Sequence, residues 1–116
     1  MRDVAVVAFA QSPSVRREVE RNEVEMLMPV VREAIARSGI PKREIGFTVS
    51  GSCDYLAGQP FAFVSALDAV GAWPPIVESH VEMDGAWALY EAWVKLQTGE
   101  VDSALVYAFG KSSMGD

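Results

Sequence analysis

Residues 75–113 read PIVESHVEMDGAWALYEAWVKLQTGEVDSALVYAFGKSS, and the fold turns on how they are parsed. Ile76 to Val81 alternates large and polar side chains, the pattern of a strand with less than full burial, as at a sheet edge. Gly85 to Thr98 carries Ala86, Trp87, Ala88, Leu89, Tyr90, Ala92, Trp93, Val94 and Leu96 around a helix, and Gly99 supplies its stop. Ser103 to Phe109 (SALVYAF) is apolar nearly throughout, as a parallel strand buried on both faces should be. Strand, helix and strand joined by short connections make a parallel crossover unit.

The same alternation extends toward the N-terminus. Ile45 to Ser50 (IGFTVS) is a second strand closed by Gly51, followed by the loop GSCDYLAG. Pro60 suits a first helical turn, and Phe61 to Val70 is apolar nearly all round until Gly71 and Pro74-Pro75 end it. From Glu23 to Ser38, Val24, Leu27, Met28, Val31, Ala34 and Ile35 form one helical stripe that stops at Gly39; Pro29 within it predicts a bend. Gln11 to Asn22 is polar, with the charge run Arg16 to Arg21, and reads as an exposed loop. Val4 to Ala10 (VAVVAFA) is a short β-branched apolar run and predicts the first strand. The order β-α-β-α-β-α-β predicts an α/β fold, a mainly parallel sheet with flanking helices, in one domain over residues 1–116.

One helix does not suit a self-contained domain of this kind. A helix that is apolar on every side is buried on every side, and the strands beside residues 85–98 cover one face only. A missing layer follows, from another subunit or from a C-terminal continuation, so the domain is expected to be incomplete without a second half and part of a larger protein.

Composition removes several functions. With 16 acidic and 10 basic side chains the net charge is −6, and the basic residues form no stripe for a phosphate backbone, so nucleic acid is not expected as a partner. One cysteine, Cys53, and one histidine, His80, allow neither an internal disulfide nor a structural zinc cluster. No signal-peptide pattern opens the sequence and no apolar run approaches the roughly 20 residues of a membrane span, which points to a cytoplasmic protein. Gly110-Lys111-Ser112 lacks the glycine a phosphate-binding loop needs five residues earlier, where Leu105 stands.

The strand, tight turn, small-residue helix, Thr-Gly-Glu-Val-Asp and final strand ending in Gly-Lys-Ser-Ser resemble the N-terminal half of the thiolase superfamily. The branch is that of the lipid-transfer-protein or sterol carrier protein thiolases, often described as acetyl-CoA acetyltransferases. The opening DVAVVAFAQSP and the GSCDYLAG loop are similar to that branch too. The resemblance spans the whole chain, which is only a fraction of a typical family member. It implies two similar α/β halves packed face to face, with the helix after the third strand sandwiched between their sheets, and a homodimer formed through that strand, at Ile76, Val77, Glu78, Ser79 and His80. It also implies acyl-coenzyme A chemistry, with the coenzyme A thioester as substrate and no covalently bound cofactor.

Thiolases carry their nucleophilic cysteine at the turn after the third strand, and aligning on Gly85 puts Glu82 there, then Met83 and Asp84. Glu82 cannot form an acyl thioester. The resemblance therefore favours the cysteine-lacking relatives, the steroid side-chain aldolases of lipid metabolism, which cleave a β-hydroxyacyl-CoA by a retro-aldol step. Such enzymes work with a partner of oligonucleotide-binding-type fold and hold their key acid-base groups in the C-terminal half. An acyltransferase of the thiolase type and a non-catalytic thiolase-like scaffold subunit are the alternatives.

Each candidate side chain also has a plainer reading. Glu82 and Asp84 are candidate acid-base groups at a helix N-terminus, or caps for it. Cys53, Tyr55 and Met83 are candidate substrate contacts, and Cys53 is equally an inert residue of a pocket wall or core. His80 lies two residues before Glu82, so both side chains point to one side of the strand; the pair could shuttle a proton, or His80 could serve as a hydrogen-bonded strand or interface residue. Trp87, Tyr90 and Trp93 at helical spacing read as core rather than as a stacking platform.

Overall fold

The structure, a computed structural model, describes residues 1–13, 23–52, 77–82 and 84–109. Within them α1 (Glu23–Ser38) leads through a short 3-10 turn (Lys42–Glu44) to β1 (Phe47–Gly51). Then come β2 (Val77–Val81), α2 (Gly85–Gln97) and β3 (Ala104–Ala108). The strands form a parallel sheet in the order β2-β1-β3, with Phe47 in register with Val77 on one side and Ala104 on the other. The expected helix over Phe61–Val70 and the expected loop over Gln11–Asn22, from residue 14 on, lie outside the described residues.

Side-chain alternation sorts the strands onto two helices. Phe47 and Val49 of β1 and Ala104 and Val106 of β3 face α2, meeting Ala88 and Ala92, both buried. Gly85, Ala88 and Ala92 give α2 a small-residue face, and a Cβ on Gly85 would come within 3.0 Å of the Ala108 methyl, so the helix lies close on the sheet. The opposite face carries Leu105, Tyr107 and Phe109, covered by Leu27, Val31 and Ile35 of the predicted α1 stripe. Burying side chains such as Phe47 and Val49 contributes roughly 1.5–3 kcal/mol each. The result is helix, sheet and helix in three layers.

α1 runs through Pro29 without interruption and ends where the stripe ends, with Gly39 at φ 71° in the left-handed conformation that glycine adopts at low cost. Gly99, at φ 78°, plays the same part after α2.

Val4 to Ala10 corrects the sequence reading. No strand forms there: the segment has no ladder with the sheet, and Val6, Val7 and Phe9 are 64–77% exposed. It is held near its ends by arginines instead. The Arg2 guanidinium donates to the Leu96 carbonyl at 2.8 Å and to Asp102 Oδ1 at 2.8 Å, and Arg37 donates to the Phe9 carbonyl at 2.9 Å. An apolar cavity of about 650 Å³ lies between this segment, α1, α2 and β3. A β-branched apolar run records a preference for burial and for extended backbone, and a ladder needs in addition an edge within hydrogen-bonding reach. The seven-element alternation is therefore seen here as three strands and two long helices.

α2 keeps the feature that set it apart in the sequence. Its sheet side is buried, while Trp87, Leu89, Tyr90 and Val94 are 40–59% exposed. Trp87 and Tyr90 meet edge to face at 6.4 Å and Tyr90 stacks on Trp93 at 6.1 Å, so the outer side of the helix is a row of contacting rings. Among the described residues no helix is long and apolar enough to cross a membrane.

Candidate functional site

Ser50, His80 and Tyr107 lie in one register row across the three strands, near their C-terminal ends, where parallel sheets place ligands. Strand alternation puts all three on the face away from α2. Ser50 Oγ is 3.0 Å from His80 Nδ1, and His80 Nε2 is 3.2 Å from Glu82 Oε2. Tyr107 is the register neighbour of Ser50 on the other side of β1. A chain of polar groups thus runs from Ser50 to His80 and emerges at Glu82. Ser50 is buried, the His80 side chain is 15% exposed and the Glu82 side chain 50%, so the chain ends at solvent.

Burial pushes the Tyr107 phenol above its ordinary pKa; the hydrogen bond from Ser50 opposes this, and the nearby negative charge of Glu78 adds to it. Tyr107 is therefore a neutral phenol at physiological pH, able to donate one hydrogen bond and accept others.

Asp84 has the plainer of its two roles in view. Its carboxylate Oδ1 accepts from the backbone N–H groups of Ala86 at 3.0 Å and Trp87 at 3.2 Å, which makes it the N-cap of α2. Such a cap is worth about 1 kcal/mol and occupies the donors that would otherwise stabilise an anion at this helix end. Glu82 lies just before it, in the turn between β2 and α2, with its carboxylate committed at least in part to His80.

Among the other expected site residues, Cys53, Tyr55, Met83 and Ile76 lie outside the described residues. The interface residues fall on β2, which is an edge strand of the described sheet. Glu78 is exposed, and Ser79, pointing to the α2 side, donates to Glu91 Oε1 at 3.4 Å. Among the described residues no three metal-ligating side chains converge.

Ser50 and Tyr107 were not singled out by the sequence reading, which took Ile45 to Ser50 and Ser103 to Phe109 only as strands. The signal was present in β1: Thr48, Ser50 and Ser52 repeat a hydroxyl at every second position, and all three are buried. A buried strand that is polar on one face must satisfy those hydroxyls with neighbours, and period-two polarity inside an apolar run marks the face where a network forms. Ser52 Oγ is the one described buried side-chain polar atom without a hydrogen-bond partner.

No family model matches this chain, and no curated protein matches it.

Proposed function

We propose that this chain is the N-terminal half of a thiolase-type enzyme acting on lipid or steroid acyl-CoA thioesters, and that it takes part in retro-aldol cleavage of a β-hydroxyacyl-CoA. The observation that carries the reading is the hydrogen-bonded His80–Glu82 pair, whose Glu82 lies in the turn that the resemblance aligns with the nucleophilic cysteine of the thiolases. A carboxylate there cannot carry an acyl group as a thioester but can move a proton. In a retro-aldol step the β-hydroxyl loses its proton to a base and the bond between the α and β carbons breaks. Its electron pair passes into the thioester as an enolate, and a proton returned to the α carbon leaves a shortened acyl-CoA and a carbonyl compound. The role assigned to His80 and Glu82 is to accept or return one of these protons; coenzyme A is the substrate's handle, with no resident cofactor required.

The exposed aromatic side of α2 supports the reading of one half. Trp87, Tyr90 and Val94 have the composition of a core and lack one, and a second α/β half laid against them would supply it. β2, an edge strand of the described sheet, is the proposed homodimer contact. A partner of oligonucleotide-binding-type fold is the further component that the aldolase resemblance suggests.

The test is turnover of a β-hydroxyacyl-CoA by the protein in its assembly, alongside Glu82→Gln. General acid-base catalysis is worth about 10²–10⁴ in rate, so the variant should lose cleavage on that scale while remaining folded. Thiolytic cleavage in place of retro-aldol turnover, or a Glu82→Gln protein as active as the parent, overturns the reading.

A further inference from the structure

We infer that the outer edge of β3 is an open strand slot, a docking site for one extended apolar strand of a partner polypeptide. Neither His80 nor Glu82 takes part in it, so the slot is independent of the aldolase reading.

The backbone of β3 sets the chemistry. Phe109 donates its N–H to the Gly51 carbonyl, toward β1. Main-chain groups of a parallel strand alternate between its two sides, so those of Leu105 and Tyr107 also turn to β1, and those of Ala104, Val106 and Ala108 turn outward. β3 is an edge strand of the described sheet, and residues 103–108 all line the apolar cavity of about 650 Å³. One wall of that cavity is therefore a row of backbone donors and acceptors at strand spacing. Val30 and Ala34 of α1 and Leu89, Trp93 and Leu96 of α2 line the cavity from the two helix layers.

Both the size and the walls fit a strand. Strands lie about 4.8 Å apart, rise about 3.3 Å per residue and sit in layers about 10 Å thick, so each strand residue fills on the order of 160 Å³. The cavity then holds about four residues, close to the five of β3. A hydrocarbon chain filling it would displace water from the outward backbone groups and leave them without partners, whereas an extended peptide both fills the space and pairs them. Apolar walls in both layers select a strand that is apolar on both faces, since a charge there would be buried unpaired. Residues 4–10 border the cavity and form no ladder with β3. The Arg2 backbone N–H donates to Gln97 Oε1 at 2.8 Å and the Arg2 carbonyl accepts from Gln97 Nε2 at 2.9 Å, which ties this end of the segment to α2. Arg37 ties Phe9 to α1.

The probe is a capped peptide, Lys-Lys-Val-Ala-Val-Ala-Val-Lys-Lys, and the control is the same peptide N-methylated at each valine and alanine, which keeps its charge and side chains but removes the donors a ladder needs. Hydrogen exchange of single β3 amides, followed by NMR on the whole chain, reads the result. The Val106 and Ala108 amides should slow about tenfold when the peptide stands at about ten times its Kd. Those of Leu105 and Tyr107, already turned to β1, should change little, and the methylated peptide should leave all four as they were. Leu89→Asp, at a side chain 53% exposed, should keep the fold and weaken the peptide by about tenfold. Equal effects of the two peptides, or no effect of either, overturn the proposal. So do three other occupants: lauric acid that enters the cavity where the peptide does not, Val6 and Ala8 amides protected in the dilute parent because residues 4–10 have closed on β3, or slowing of Val106 and Ala108 that rises with protein concentration alone and assigns the slot to a second copy.

Discussion

Gly51 at the end of β1 and Asp84 at the start of α2 meet backbone to backbone: a Cβ added to Gly51 would overlap the carbonyl group of Asp84 and come within 3.0 Å of the Gly85 nitrogen. The contact seats the N-terminus of α2 on the sheet, next to the turn that carries Glu82. Backbone atoms cannot swing aside as a flexible side chain does, so even one methyl group must displace the helix. Gly51→Ala should cost about 2 kcal/mol or more, the scale of overpacking in a core. Gly39→Ala, where open space surrounds the added carbon and only the positive φ opposes it, should cost about 1 kcal/mol. Urea midpoints followed by circular dichroism compare the two; equal losses would mean that the Gly51 contact is not tight.

Asp84 separates capping from catalysis. Its Oδ1 accepts two backbone N–H groups, a task that asparagine performs nearly as well as aspartate and alanine cannot perform at all. Asp84→Ala should lower stability by about 1 kcal/mol, and Asp84→Asn should remain close to the parent in both stability and turnover. A large loss of turnover in a stable Asp84→Asn protein would return the residue to the acid-base machinery.

Much of the fold was legible because burial imposes a period. The stripe Leu27, Val31, Ile35 belongs to an amphipathic helix, and its end at Gly39 is a matter of left-handed backbone, so α1 could be placed from composition alone. The all-round apolarity of residues 85–98 predicts a helix covered on every side with Trp87 and Tyr90 in a core; the structure covers the side of Ala88 and Ala92 and leaves Trp87 and Tyr90 exposed. Val4 to Ala10 shows where such reasoning stops. Its residues state that they prefer burial in an extended form, but whether a sheet edge comes close enough to pair depends on elements distant in sequence. The site divides in the same way. His80 and Glu82 share a face because they are two residues apart, a local fact, whereas their link to Ser50 depends on the register of β1 with β2, strands distant in sequence.

Tyr107 links the network to alkaline stability. Burial raises its pKa above the unfolded value of about 10, so the folded protein holds the phenolic proton more tightly than the unfolded chain does. The sign follows: this contribution is fully present below pH about 10 and is lost as pH rises through the higher folded-state pKa. Unfolding midpoints measured from pH 8 to 11 should therefore fall at the alkaline end, with a shallower fall in Tyr107→Phe. An identical alkaline slope in the two proteins would show that the phenol does not feel its burial.

The outer side of α2 makes the sharpest prediction about assembly. Tyr90 is 59% exposed and Trp87 53%, and the ring contacts of Tyr90 are with Trp87 and Trp93 of its own helix. A charge at Tyr90 would thus remove little that holds this domain together, yet it would face any layer laid over the helix with an unpaired charge to bury, which proteins avoid. Tyr90→Glu should keep the parent's circular dichroism and lose mass in native mass spectrometry, as a second half or a partner comes away. Glu78→Arg tests the edge of β2 separately, since Glu78 is exposed on that strand and, by strand alternation, lies on the face away from α2 and its ring row. Loss of the higher-mass species in the first variant alone assigns the missing layer to α2, and loss in the second alone assigns the association to the strand edge. A parent that is a monodisperse 12.6 kDa monomer, or variants that all keep the parent's mass, would mean that the exposed rings of α2 recruit nothing, and the reading of this chain as half of a thiolase-type enzyme would fall with them.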